Sequence, residues 1–298
     1  EVMKVVITLT LNPAFDIYYE TGRLEPGSEM RVKKTGRFIG GKGINTSRAL
    51  FSLGIENFAA VLLGRDNAVE FIKEAEGEGL CLIPVLTSGA VRENITVRED
   101  GGRETRMSTD FFSDEDSVAE ALRKTKAAFS GDDILVFSGR LPKGVEKERI
   151  TDFLSGLTGV KIALDSKSMA KEDIKKIRPW LIKPNEEEAL AFGDTYKTAA
   201  AKLKALGCEN VIISLGENGV FFSGADEFFV KAPKVCALST VGAGDSLTAG
   251  FIASHILKRS ERECVRFAVA AGSAACEKAG TAPPDMSEVT RLFSENTF

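Results

Sequence analysis

Apolar positions in this chain fall into short unbroken runs separated by longer stretches with helical spacing. Residues 4–11 (KVVITLTL), 58–63, 134–138, 160–165 and 211–215 are such runs, and 180–183 is a shorter one. Unbroken apolar runs of this length read as strands buried on both faces. Between them, residues 42–53 space their apolar positions as a helix, with Ile44, Leu50, Phe51 and Leu53 expected to face inward and Gly54 just past the end. Residues 67–78, 114–129, 147–157, 198–206, 242–258, 261–278 and 286–294 also read as helices, and Ser113 is expected to cap the one at 114–129. Strands that alternate with helices predict a mostly parallel sheet covered on both sides, with right-handed crossovers. Two segments break this rhythm. Residues 16–38 alternate apolar and polar positions, and residues 93–109 read as a hairpin turning at Gly101-Gly102. Alternation leaves one wet face, which suits either a small lid over a site or plain edge strands.

Three glycine-bearing turns stand where predicted strands end or helices begin. The most informative is Ser239-Thr240-Val241-Gly242-Ala243-Gly244-Asp245-Ser246, after which Leu247, Phe251, Ile252 and Ile256 keep an apolar stripe. A helix start offers unpaired backbone amides and a partial positive charge, and glycines let an anion approach them. Asp245 there is either a helix cap or a base beside a phosphate. Gly40-Gly41-Lys42-Gly43-Ile44-Asn45 opens a second helix. It matches neither the dinucleotide fingerprint nor a P-loop. It suits polyol hydroxyls, with Asn45 as donor and acceptor, or simply a tight turn. Ser214-Leu215-Gly216-Glu217-Asn218-Gly219 is the third, either a nucleotide loop beyond a strand's carboxyl end or a hairpin turn. Lys183-Pro184-Asn185-Glu186-Glu187-Glu188 also follows an apolar strand: Asn185 is a cap, or Asn185 and Glu188 hold a hydrated Mg²⁺.

Composition narrows the chemistry. The 298 residues carry a net charge of −4 without a block of Lys or Arg, which argues against nucleic acid. No apolar run approaches a membrane span, and no leader pattern opens the chain, so a cytoplasmic location is expected. Met3 is read as the natural start. His255 is the only histidine, which leaves little room for Ser-His-Asp triads, H-E-x-x-H metalloproteases or His-based general acids; it reads as structural. The five cysteines are scattered and read as reduced, mostly core residues.

Together the ordered motifs N-P-A-F-D, G-G-K-G-x-N, K-P-N-x-x-E, S-L-G-x-x-G and T-V-G-A-G-D resemble the ribokinase-like, or pfkB, carbohydrate kinases over nearly the whole chain. Thr8 to Asp16 looks most like the branch acting on phosphorylated hexoses, the 1-phosphofructokinases and tagatose-6-phosphate kinases. The resemblance implies one α/β domain over residues 1–298, a three-layer αβα ribokinase-like fold with a mostly parallel sheet and a small β lid from about 14–38 and 90–110. It implies ATP and Mg²⁺ as cofactors and Asp245 as catalytic base, with Gly242, Ala243 and Gly244 supplying amides. Asp16, Gly41, Lys42 and Asn45 would hold the sugar, and Arg92, Asn94 and Arg106 its phosphate. Lys183, Ser214, Gly216, Glu217, Gly219 and Gly272 would line the nucleotide, and Asn185 and Glu188 the metal. There are departures: Val91 stands where the branch has Thr, and Arg140 stands where it has Ser. Arg140 is either a new phosphate contact or a solvated side chain.

The expected reaction is ATP-dependent phosphorylation of a phosphorylated ketohexose, first of all fructose 1-phosphate. Tagatose 6-phosphate, fructose 6-phosphate, an unphosphorylated sugar or a nucleoside are rival acceptors, and a non-catalytic sensor is the rival class. The motif ending at Asp245 speaks against a sensor, because a pure binder needs no base. A dehydrogenase lacks its fingerprint. The open lid strands also make a homodimer through the lid an expectation.

Overall fold

The structure, a computed structural model, describes residues 4–295, and the reading of Met3 as the start lies outside them. The first half runs β1 (Val6–Thr10), β2 (Ala14–Thr21), β3 (Lys33–Gly40), α1 (Lys42–Ser52), β4 (Asn57–Gly64), α2 (Ala68–Gly77), β5 (Cys81–Thr87), β6 (Arg92–Glu99), β7 (Glu104–Ser108) and α3 (Glu115–Ala127). It continues through β8 (Asp133–Ser138), α4 (Lys147–Ser155), β9 (Val160–Asp165), α5 (Lys171–Ile177), β10 (Leu181–Ile182), α6 (Glu186–Ala189) and α7 (Tyr196–Ala205). The last part is β11 (Asn210–Ser214), β12 (Val220–Ser223), β13 (Glu227–Val230), α8 (Ala243–Ile256), α9 (Glu261–Cys276) and α10 (Met286–Glu295).

Nine strands form one sheet in the order β13-β12-β11-β10-β9-β8-β1-β4-β5. Neighbours pair in parallel except where β12 meets β11 and β13. One face buries Leu9, Leu135, Leu164 and Ile213 with Val118, Ile150, Ile174 and Leu203 of the helices α3, α4, α5 and α7. The opposite face buries Val6, Val136 and Ile212 with Leu50, Phe251, Ile252 and Val269 of α1, α8 and α9. This is the layered αβα arrangement that apolar strands alternating with helices require.

The remaining four strands form a separate sheet, β3-β2-β6-β7. Its apolar face carries Phe15, Ile17 and Ile39 onto Ile44, Phe71 and Val91. Its other face is the wet one that alternation predicts. The register sets Asp16 opposite Asn94, and Tyr18 opposite Thr96, which in turn pairs with Arg106.

Several local expectations are corrected. Asp114, not Ser113, caps α3, accepting from the Ser117 amide at 2.7 Å; Ser113 instead donates to Thr87. Phe51 is half exposed rather than inward, since α1 buries the face of Ile44 and Leu50. Of the five cysteines only Cys208 and Cys264 are buried, while Cys81 and Cys236 are exposed. The strands β5, β12 and β13 and the helix α5 carry no counterpart in the sequence reading. His255 stacks on Trp180, with ring centroids 4.6 Å apart, which fits a structural residue.

Candidate active site

The carboxyl ends of β1, β9, β10 and β11 point to one edge of the large sheet, where the loops into α1, α6 and α8 converge. This is where open parallel sheets leave a crevice. Glycines shape it for local reasons. A Cβ on Gly40 would lie 2.1 Å from Asp16 Oδ2, and one on Gly43 would lie 2.2 Å from Thr10 Oγ1. Gly41 takes φ of 113° against Thr10 and Pro13. The turn therefore lets α1 start directly beside β1 and presses the Asp16 carboxylate against its first residues.

Gly242 is the N-cap of α8, in the left-handed region at φ 82°, and no side chain caps this end. The Ala243 amide makes only a long contact of 3.4 Å with Thr240 O. Asp245 lies in the first turn yet is not a cap: its Oδ2 accepts from Asn45 Nδ2 at 2.8 Å. Its side chain is buried. Burial and the nearby Asp165 carboxylate push its pKa up to about 7, against the pull of Lys42, the Asn45 hydrogen bond and Lys183. A carboxyl poised there is half ionised near neutrality, which suits a general base.

Asp165, the last residue of β9, joins this site and is absent from the sequence reading. It binds Lys42 Nζ at 2.7 Å and Lys183 Nζ at 3.1 Å. Burial alone would raise its carboxyl, but Lys183 and Lys42 outweigh burial and hold it below the ordinary value. Lys183 also reaches α8, since a Cβ on Gly244 would stand 3.1 Å from its Nζ. A signal existed in the sequence: an Asp ends an otherwise apolar run at Leu164-Asp165.

On the small sheet, Asp16 Oδ1 accepts from Asn94 Nδ2 at 2.7 Å, and Asn94 Oδ1 accepts from Arg92 Nη1 at 2.8 Å. Burial raises the Asp16 carboxyl, opposed by Asn94 and by Arg92. Burial also lowers the Arg92 guanidinium, with Arg140 adding to the effect and Asp16 opposing it. Arg92 Nε is buried without a partner. Arg140 is exposed and near enough to be felt by Arg92. Arg106 stands apart from this pair, farther along the sheet, ion-paired to Glu104 at 3.0 Å. It borders a cleft of about 520 Å³ with Tyr18, Phe38, Thr240 and Val241.

At the end of β10, Asn185 and Glu188 form a reciprocal cap: Asn185 Oδ1 accepts from the Glu188 amide at 2.8 Å, and Glu188 Oε2 from the Asn185 amide at 2.9 Å. The cap takes up the Asn185 oxygen. Glu188 Oε1 is buried without a hydrogen-bond donor, 3.5 Å from Lys167 Nζ. A carboxylate oxygen with no hydrogen-bond donor, paired only with Lys167, fits a hydrated Mg²⁺ held from outside its water shell. Among the described residues no cluster of three or more His, Cys, Asp or Glu is arranged for a metal.

Ser214 bridges to Asn185 across β10 and β11, so the following loop lies next to that cap. Gly216 and Gly219 both have positive φ, and a Cβ on Gly219 would collide with Val230 O at 2.0 Å. Glu217 is exposed between them. Gly272 is buried in α9, where its bare Cα allows the first turn of α8 to pass: a Cβ would stand 3.1 Å from Ala243 O.

The pfkB family carbohydrate kinase model matches residues 5–288. A 1-phosphofructokinase of Haemophilus influenzae is 33% identical over 297 residues, covering 96% of this chain and 95% of that protein. One of Vibrio cholerae serotype O1 is 31% identical over 300 residues, covering 97% and 95%. Among solved structures, phosphofructokinase-2 from Escherichia coli in complex with potassium superposes with a TM-score of 0.90 at 27% identity, covering 98% of this chain and 99% of that one.

Proposed function

We infer the reaction from one premise: this chain belongs to the pfkB family of carbohydrate kinases. It is a phosphotransferase acting on an alcohol group, a 1-phosphofructokinase-like enzyme on a ribokinase-like fold. The reading is that it moves the γ-phosphoryl of ATP to a free hydroxyl of fructose 1-phosphate, giving fructose 1,6-bisphosphate and ADP. The small sheet acts as the lid of a single kinase domain, and its open edges make it the candidate face for a homodimer in the cytoplasm.

The observation that carries this reading is Asp245. A buried carboxylate at a bare helix N-terminus, bound by Asn45 and not used as a cap, has no structural purpose of its own. In the reaction the sugar oxygen attacks the γ-phosphorus, the bond from that phosphorus to the bridging oxygen of ADP breaks, and the sugar's proton passes to Asp245. Such transition states are loose, so positioning and charge neutralisation do most of the work. The amides at Gly242 to Gly244, where no side chain caps α8, support the charge on the transferred group. Asp16 and Asn45 orient the sugar hydroxyls. Arg92, whose Nε lacks a partner, grips the acceptor's phosphate together with Arg140. A neutral sugar would leave these two neighbouring guanidinium groups with only the Asp16 and Asp110 carboxylates to offset them, which favours a phosphorylated acceptor. Mg²⁺, held by Glu188 Oε1 through water, would neutralise the nucleotide's phosphates. Ser214, Gly216 and Gly219 shape the loop that takes the nucleotide.

An ADP-release screen with fructose 1-phosphate, fructose 6-phosphate, tagatose 6-phosphate, fructose and ribose tests this. Turnover with fructose 1-phosphate at the highest kcat/KM is expected. A preference for an unphosphorylated sugar would overturn the phosphate assignment, and no turnover with any acceptor would overturn the kinase reading.

A further inference from the structure

Asp165 lies outside every glycine-bearing motif. Its side chain is 3% exposed, and it shares one carboxylate between Lys42, 35% exposed, and Lys183, 5% exposed. Lys183 is thus held out of water, while Lys42 keeps part of its side chain in it. The pair faces the first turn of α8, where Lys183 Nζ stands beside Gly244 and where the transferred phosphoryl group must pass.

We propose that Asp165 is a positioning residue for phosphoryl transfer: it fixes the two ammonium groups beside that path and keeps Lys42 from pairing with Asp245. This rests on the kinase reading above.

Lysine ends are compact charges on flexible stems, so an unpaired Lys42 would turn to the nearest other carboxylate. Lys42 already feels both Asp245 and Glu188. Asp165 holds it by a direct contact of 2.7 Å and so keeps it from pairing with Asp245. The groups around Asp245 are few. α1 presents Lys42 and Asn45, β9 presents Asp165, and the end of β10 presents Lys183. α9 meets the first turn of α8 with Gly272, which brings no charge. Among these groups Asp165 opposes ionisation of Asp245, while Lys42 and Lys183 favour it.

The test is Asp165→Asn in the full chain, read in two ways. Carboxyl ¹³C titration of Asp-labelled, ligand-free protein follows Asp245, assigned by its loss in Asp245→Asn. Its midpoint is expected to fall by about one pH unit or more. In turnover, kcat is expected to fall about 100-fold with KM for the sugar within about threefold, and the acid limb of kcat/KM to move to lower pH. A purely structural Asp165 would lower activity without moving the Asp245 midpoint, so an unmoved midpoint in folded Asp165→Asn overturns the proposal. Should that variant not fold, Asp165→Glu carries the test. It keeps the charge but displaces the ammonium groups, so the midpoint holds while kcat falls about tenfold; a wild-type kcat overturns the proposal. If the wild-type protein phosphorylates no sugar, the kinase reading fails, while the titration still judges Asp165.

Discussion

The floor of the site and its lid solve different problems with the same residue types. On the floor, Asp245, Asp165 and Lys183 are buried at the ends of elements fixed by two apolar layers. Their charges cannot be relaxed by water, so the neighbours of each carboxyl move its protonation. On the lid, Asp16, Asn94 and Arg92 are only partly buried and bind one another in a chain along neighbouring strands. Rigid burial suits groups that must change charge during reaction. A half-wet hydrogen-bonded chain suits groups that exchange their partners for a sugar's hydroxyls and phosphate. On the proposed reading chemistry and recognition are thereby separated, and substitutions in the two regions should fail differently.

The largest break in that comparison is Asp245→Asn. It should lower kcat about 1,000-fold while KM for both substrates stays within a few-fold. In the wild type the pKa near 7 belongs to a group that works ionised, so kcat/KM should fall as pH drops below about 7. Stability should respond in the opposite sense. Native Asp245 keeps its proton up to about 7, whereas the unfolded chain releases it near pH 4. The ligand-free fold therefore loses stability as pH rises through that window. Asp245→Asn should remove this loss and raise Tm, more at pH 8 than at pH 5, with a gain on the order of 2 kcal/mol at the higher pH. Thermal melts across pH check it. A variant that keeps near-normal kcat would refute the base assignment, and an equal Tm change at both pH values would refute the buried-charge account.

A lid substitution should do the reverse. Arg92→Ala removes a guanidinium whose Nε has no protein partner. KM for the sugar phosphate should rise about 50-fold, the scale of a lost charge-assisted hydrogen bond, while KM for ATP and kcat with saturating sugar change little. Steady-state kinetics with each substrate varied in turn would show it. Equal losses for both substrates would mean that Arg92 supports the site's shape rather than gripping the acceptor.

The sequence shows most of the floor and less of its logic. The turns at Gly40 to Asn45 and Gly242 to Asp245 are visible because glycines at a helix start are a local signal. The reason for each glycine is not local: Gly40 is excluded from carrying a side chain by Asp16, and Gly272 by Ala243. Asp165 was hidden because its meaning lies in Lys42, 123 residues away. Periodicity marked it only as the end of a strand. The turn at Ser214 to Gly219 was open to reading as a ligand loop or as a hairpin, and β12 does return antiparallel to β11 there; only β13 beyond it had no local signal. Phe51 was placed inward because an apolar residue at helical spacing carries no sign of which faces its neighbours leave open.

The smallest expected effect lies within the lid and separates its two arginines. Arg106 shares with Arg92 a sheet, a charge and a place in the family resemblance, but not an environment. Its side chain is 62% exposed and already paired with Glu104, which also takes Arg98 at 2.8 Å. Exposed ion pairs of this kind contribute at most about 1 kcal/mol, and a substrate must compete with Glu104 and with water for the same guanidinium. Arg106→Ala should therefore raise KM for the sugar phosphate no more than about threefold, leave kcat unchanged and hardly move Tm. The informative measurement is the salt dependence of that KM, because a screened, solvent-facing contact fades at high ionic strength while a desolvated one persists. A large, salt-resistant loss for Arg106→Ala would mean that the lid folds down over the cleft beside Thr240 and Val241, bringing Arg106 out of water and onto the substrate.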